Sequence, residues 1–70
     1  METYEGTVLN VQAGFVEVGL PGGKIVDVRR RLLPAAAREL VLAVGQRVRV
    51  VGEVRGPSFR TVEAIEVLGG

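Results

Sequence analysis

An all-β domain with one short helix between its third and fourth strands is the fold class this sequence predicts. Three observations predict it. Valine-rich runs alternate with polar residues at period two, most cleanly from Gln46 to Arg55. Glycine and proline signals separate those runs, notably Pro21-Gly22-Gly23 and Gly56-Pro57-Ser58. One stretch alone, Leu33 to Val44, combines helix-forming residues with an apolar stripe. Three strands, a helix and two strands in 70 residues is the order of a five-stranded Greek-key barrel.

The first strand is expected over Thr3 to Gln12. Tyr4, Gly6 and Val8 alternate there with Glu5, Thr7 and Leu9, and Val11 breaks the phase, the mark of a bulge. Ala13-Gly14 turns the chain. Phe15 to Leu20 follows, with Val16, Val18 and Leu20 on one face and Phe15, Glu17 and Gly19 on the other. The Pro21-Gly22-Gly23 turn joins it to a third strand over Lys24 to Arg30. Val26 and Val28 face inward there, and Ile25, Asp27 and Arg29 outward.

Pro34 suits the first turn of a helix, where its missing N–H costs nothing. Leu33, Ala37, Leu40, Val41 and Val44 fall on one stripe at helical spacing and would plug the open end of a barrel. Gly45 ends the segment. In the competing reading Leu40 to Val44 is already extended and the helix is two turns long. The fourth strand is Gln46 to Arg55, with Val48, Val50, Gly52 and Val54 on one face and a bend at Gly52. The fifth is Phe59 to Leu68, and Gly69-Gly70 is expected to fray.

Seventy residues make a single domain, residues 1–70, burying only about 60 % of its unfolded surface. With no cysteine, disulfides cannot supplement the core. No cysteine or histidine is available to ligate zinc, and no neutral-pH proton shuttle is present. Ser58, the lone serine, lacks a histidine base, and the carboxylates are scattered among arginines. Neither an enzyme, a metal site nor a cofactor is expected. Pro21-Gly22-Gly23-Lys24 lacks the spacing of a phosphate-binding loop, so a hairpin turn is the reading there. Met1-Glu2-Thr3-Tyr4-Glu5 lacks the basic start and apolar run of a signal peptide, and no stretch is long enough to span a bilayer. A soluble cytoplasmic protein is the expectation.

The stretches Glu5-Gly6-Thr7-Val8-Leu9-Asn10-Val11, Gly14-Phe15-Val16-Glu17-Val18, Gly22-Gly23-Lys24-Ile25-Val26 and Val44-Gly45-Gln46-Arg47-Val48-Arg49-Val50 run through nearly the whole chain. In order and spacing they resemble the OB-fold group that includes bacterial translation initiation factor 1 and the S1 RNA-binding domains. The resemblance implies an OB-fold and a nucleic-acid partner. It carries Phe15 over as a stacking residue. The chain departs from the group in having few aromatics and a single lysine, and in placing Glu17 and Asp27 on the same face as Phe15.

The net charge is only +1, yet eight of the nine cations are arginine. Arginine suits phosphate, carboxylate and protein interfaces alike. Arg29-Arg30-Arg31 is the one charge run. Read functionally it contacts phosphate, helped by Lys24, Arg47 and Arg49. Read structurally, an extended run alternates faces and forms no single patch. Arg47, Arg49 and Arg55 share a face of the fourth strand; Arg60, Glu63 or Glu66 of the fifth would lie opposite, and cross-strand arginine–glutamate pairing is the competing role. Among the three aromatics, Phe15 and Phe59 are the stacking candidates.

The function expected is therefore sequence-tolerant binding of RNA or single-stranded DNA. Lys24, Arg29, Arg31, Arg47 and Arg49 would touch the backbone, and Phe15 and Phe59 would stack on bases. The alternative is a protein-interaction or self-assembly module, favoured by the mixed arginine and glutamate faces and by exposed Ile25 and Val51. A barrel of SH3-like type with a helical insertion stays open beside the OB-fold.

Overall fold

The computed structural model describes residues 1–69. Five strands account for most of the chain: β1 (Glu2–Val11), β2 (Phe15–Gly19), β3 (Ile25–Arg29), β4 (Arg47–Arg55) and β5 (Ser58–Gly69). They form one closed sheet in the order β1-β2-β3-β5-β4. All neighbours are antiparallel except β3 and β5, which run parallel and meet at Asp27 and Ser58. β1 serves two neighbours. Its first half pairs with β4, its second half with β2, and Thr7 belongs to both ladders. The phase break expected near Val11 is real: the β1–β2 register slips between Val8 and Asn10, leaving Leu9 as the extra residue.

Inside the closed sheet, valine dominates. Val8, Val16, Val18, Val26, Val28, Val48 and Val50 are all essentially inaccessible, and among the described residues Phe59 is the one fully buried aromatic, with Tyr4 packed partly buried against the core. β-branched side chains suit a pleated surface packed on one face, which is why a valine-rich alternation yields strands here. No polar side chain is buried among the described residues. The inward and outward faces expected for the second and third strands are those observed.

β5 departs from simple alternation. Its buried residues are Phe59, Val62 and Ile65, three apart. The register against β4 explains the spacing. Val54 faces Phe59, Gly52 faces Val62 and Val50 faces Ile65, so two steps on β4 match three on β5. Each extra residue is a bulge that adds twist and coils β5 around the core. Gly52 sits at one of these register shifts, where the bend was expected. β5 continues through Gly69, so the fray expected at Gly69 is strand instead; Gly70 lies outside the described residues.

The single helix expected over Leu33 to Val44 does not form. Two 3₁₀ turns take its place, at Arg30–Leu32 and Ala35–Ala37. Between them Leu33 (ψ 143°) and Pro34 (ψ 151°) are extended. A residue before proline avoids the helical region, so Leu33 interrupts the turn that precedes it. What remains after Pro34 is about three turns, which is marginal for a helix without strong packing. The apolar stripe dissolves accordingly. Leu33, Ala37 and Leu42 enter the core, whereas Val41 and Val44 are exposed. Three anchors from an irregular segment still cap that part of the core. Among the described residues no helix is long and apolar enough to cross a membrane.

Candidate nucleic-acid interface

The outward face of β2 and β3 is built from three directly opposed pairs: Phe15 with Arg29, Glu17 with Asp27, and Gly19 with Ile25. Inward valines on both strands pin this face outward, because a one-residue slip would exchange the two sets. Phe15 is half-buried and Arg29 exposed. Directly opposed residues hold their Cα atoms roughly 4.5–5.5 Å apart, within reach of a ring and a guanidinium.

β3 ends at Arg29, and Arg30 and Arg31 lie in the first 3₁₀ turn. The run is therefore not extended, and the alternation that would scatter it applies only up to Arg29. The turn is tied to the β1–β2 loop. The Arg30 amide donates to the Gly14 carbonyl at 3.0 Å, and Arg30 Nε to the Gln12 carbonyl at 3.4 Å. Arg30 is thus partly spent on backbone. Arg29 and Arg31 are exposed and make no ion pair among the described residues.

Lys24 sits at the other end of these strands. It closes the β2–β3 turn, where the Leu20 amide donates to the Lys24 carbonyl at 2.7 Å. Gly22 and Gly23, both near φ +90°, supply the left-handed backbone that this turn requires. Lys24 and Arg29 are five positions apart, about 16 Å along a strand. Between them lie the two carboxylates. Asn10 Nδ2 donates to Glu17 Oε1 at 3.0 Å, and Gln12 Nε2 donates to Asn10 Oδ1 at 3.0 Å.

Arg47 and Arg49 are not brought to this face. β4 neighbours β1 and β5, so its outer surface turns away from β2–β3. There Arg49 donates to Glu66 at 2.7 Å and to Glu5 at 3.2 Å, and Arg47 donates to Glu5 at 3.4 Å. Glu5 and Glu66 are the cross-strand register partners of Arg49. These bonds hold the Arg49 guanidinium above its ordinary pKa. The cross-strand pairing role is the one the geometry displays.

Phe59 is not a surface ring. It is 1 % exposed and packs edge-to-face on Tyr4, with ring centroids 5.4 Å apart and planes at 85°. A bulge beside it turns the ring inward, so it cannot stack on an external base. Sequence reasoning set Arg60 only opposite the fourth strand and gave Arg55 no place near β3. Both are exposed and flank the Gly56-Pro57 turn, whose Pro57 carbonyl accepts from the Asp27 amide at 2.9 Å. A turn bracketed by arginines was the available signal.

Among the described residues no group of three or more carboxylates could hold a metal ion. No protein-family model matches the chain, and no curated protein matches it.

Proposed function

We propose that this chain is an OB-fold-like Greek-key barrel whose β2–β3 face binds single-stranded or structured nucleic acid, with RNA as the partner that the family resemblance implies and the cytoplasm as its place of action. Strand order supports the architecture, and the strand 2–3 face with its flanking loops is where such barrels take oligonucleotides. One observation carries the binding role: Phe15 lies directly opposite Arg29, beside a turn that presents Arg31. A ring offers a stacking platform to any base, and guanidinium groups beside it hold the phosphate without reading sequence. Arg55 and Arg60 extend the cationic rim past the β4–β5 turn.

Titration of fluorescently labelled poly-U and poly-dT oligomers at low salt tests this. Binding at tens of micromolar protein that weakens as salt rises is expected. Absence of any binding under those conditions overturns it.

A protein-interaction role is favoured by a different observation. Leu9 and Ile25 are 44 % and 51 % exposed, and Leu9 lies over Gly19, the residue that Ile25 faces across the strand pair. Sedimentation discriminates: a strictly monomeric species at high concentration removes the self-assembly version.

A further inference from the structure

Resting on the nucleic-acid reading of the β2–β3 face, we propose that this face prefers guanine, and that Glu17 is the residue that reads it. Sequence-tolerant contacts alone leave one feature of the face without a role. Glu17 and Asp27 are directly opposed, and neither forms an ion pair among the described residues. Like charges placed opposite each other across a ladder are destabilising, and they repel phosphate. A nucleic-acid backbone therefore does not cross the middle of the face. It is held at the Arg29–Arg31 end, and what extends toward Glu17 is a base.

The geometry suits that placement. Phe15 and Glu17 are two residues apart on the same face of β2, about 6.8 Å along the strand. A base lying on the Phe15 ring spans that distance and brings its edge to the carboxylate. Glu17 is already oriented, because Gln12 donates to Asn10 and Asn10 donates to Glu17 Oε1.

A carboxylate only accepts hydrogen bonds, so it selects edges rich in donors. Guanine presents N1–H and an N2 amino group side by side and can donate to both oxygens at once. Uracil offers a single N3–H flanked by two carbonyl oxygens that the carboxylate repels. Cytosine and adenine each pair one amino donor with a ring-nitrogen acceptor. Guanine alone matches both oxygens.

Fluorescence anisotropy with four labelled RNA hexamers tests the proposal: all uridine, and the same hexamer with one central guanosine, inosine or adenosine. The guanosine hexamer should bind at least about fivefold tighter than the all-uridine one. Inosine, which keeps N1–H and lacks the amino group, should lose most of that gain. Glu17→Gln should abolish the preference. Asp27→Asn should strengthen all four hexamers alike by removing repulsion, and keep the ratio. Equal binding of all four hexamers by the unaltered protein overturns the guanine preference and leaves the nucleic-acid reading standing. Binding of none overturns both. A preference that survives Glu17→Gln in folded protein removes Glu17 as the reader. The inosine comparison needs no variant, so a folding failure in Glu17→Gln leaves the test intact.

Discussion

Gly52 on β4 runs so close to the Thr61 carbonyl on β5 that no side chain fits between them. A β-carbon at position 52 would press on backbone, which cannot rotate away as a side-chain tip can. Gly52→Ala should therefore destabilise the fold by about 1–3 kcal/mol, the usual cost of overpacking. Gly14 is the control. Nothing lies within 4 Å of a β-carbon built there, and its φ is not positive. Gly14→Ala should change stability by no more than about 0.5 kcal/mol. Urea denaturation of the two variants checks both values.

How much of this was legible in the sequence depends on the element. β2, β3 and β4 each face one uninterrupted inner surface, so their alternation could be read directly from Val16 and Val18, Val26 and Val28, Val48 and Val50. β5 could not be read that way. Bulges spread its inward residues to Phe59, Val62 and Ile65, and bulge positions are set by the partner strand. The same effect hid the fate of Phe59. The segment after β3 misled because Leu33, Ala37, Leu40, Val41 and Val44 do match helical spacing. Pro34 and the need to cap a closed sheet decided otherwise, and tertiary context overrode local propensity. Of the candidate site, the facing of Phe15 and Arg29 was legible. The separation of Arg47 and Arg49 from them was not, because it follows from the order in which the sheet closes.

That separation predicts two classes of arginine. Arg29→Ala and Arg31→Ala should each weaken oligonucleotide binding and reduce the slope of log affinity against log salt by about 1. Arg47→Ala and Arg49→Ala should leave that slope nearly unchanged. Arg49→Gln should instead lower the melting temperature at low salt, through loss of its bonds to Glu5 and Glu66. The difference should shrink near 1 M salt, where the screening length falls to about 3 Å. Anisotropy titrations and melting curves across a salt series check both halves.

The two phenylalanines should separate in the same manner. Phe59 fills the core against Tyr4, whereas Phe15 is half-buried on the outer face. Phe59→Leu should cost on the order of 1–2 kcal/mol through lost area and the lost aromatic pair, and leave oligonucleotide affinity unchanged at temperatures where the protein is folded. Phe15→Ala should weaken binding by about 1–3 kcal/mol, the range for losing one stacked base. Parallel melting and binding measurements on both variants decide; a binding loss confined to Phe59→Leu would reverse the assignment.

Tyr4 offers a pH readout of its own, because it is the only tyrosine and no tryptophan obscures it. Desolvation raises its pKa above the ordinary value of 10.0, and the Glu2 carboxylate, which accepts from its hydroxyl at 3.1 Å, raises it further, as does the Glu53 charge. The folded protein thus holds the phenolic proton to higher pH than the unfolded chain does. Between those two pKa values the unfolded state carries fewer protons, so stability falls as pH rises. The contribution is fully present below pH 10 and is lost as pH climbs through the folded value. Absorbance titration near 295 nm should place the midpoint above 10 in the native protein and nearer 10 in denaturant. Glu2→Gln should move the native midpoint down, because it removes a charge and the carboxylate acceptor together. A native midpoint that matches the denatured one would show that neither the Glu2 contact nor the partial burial persists in solution.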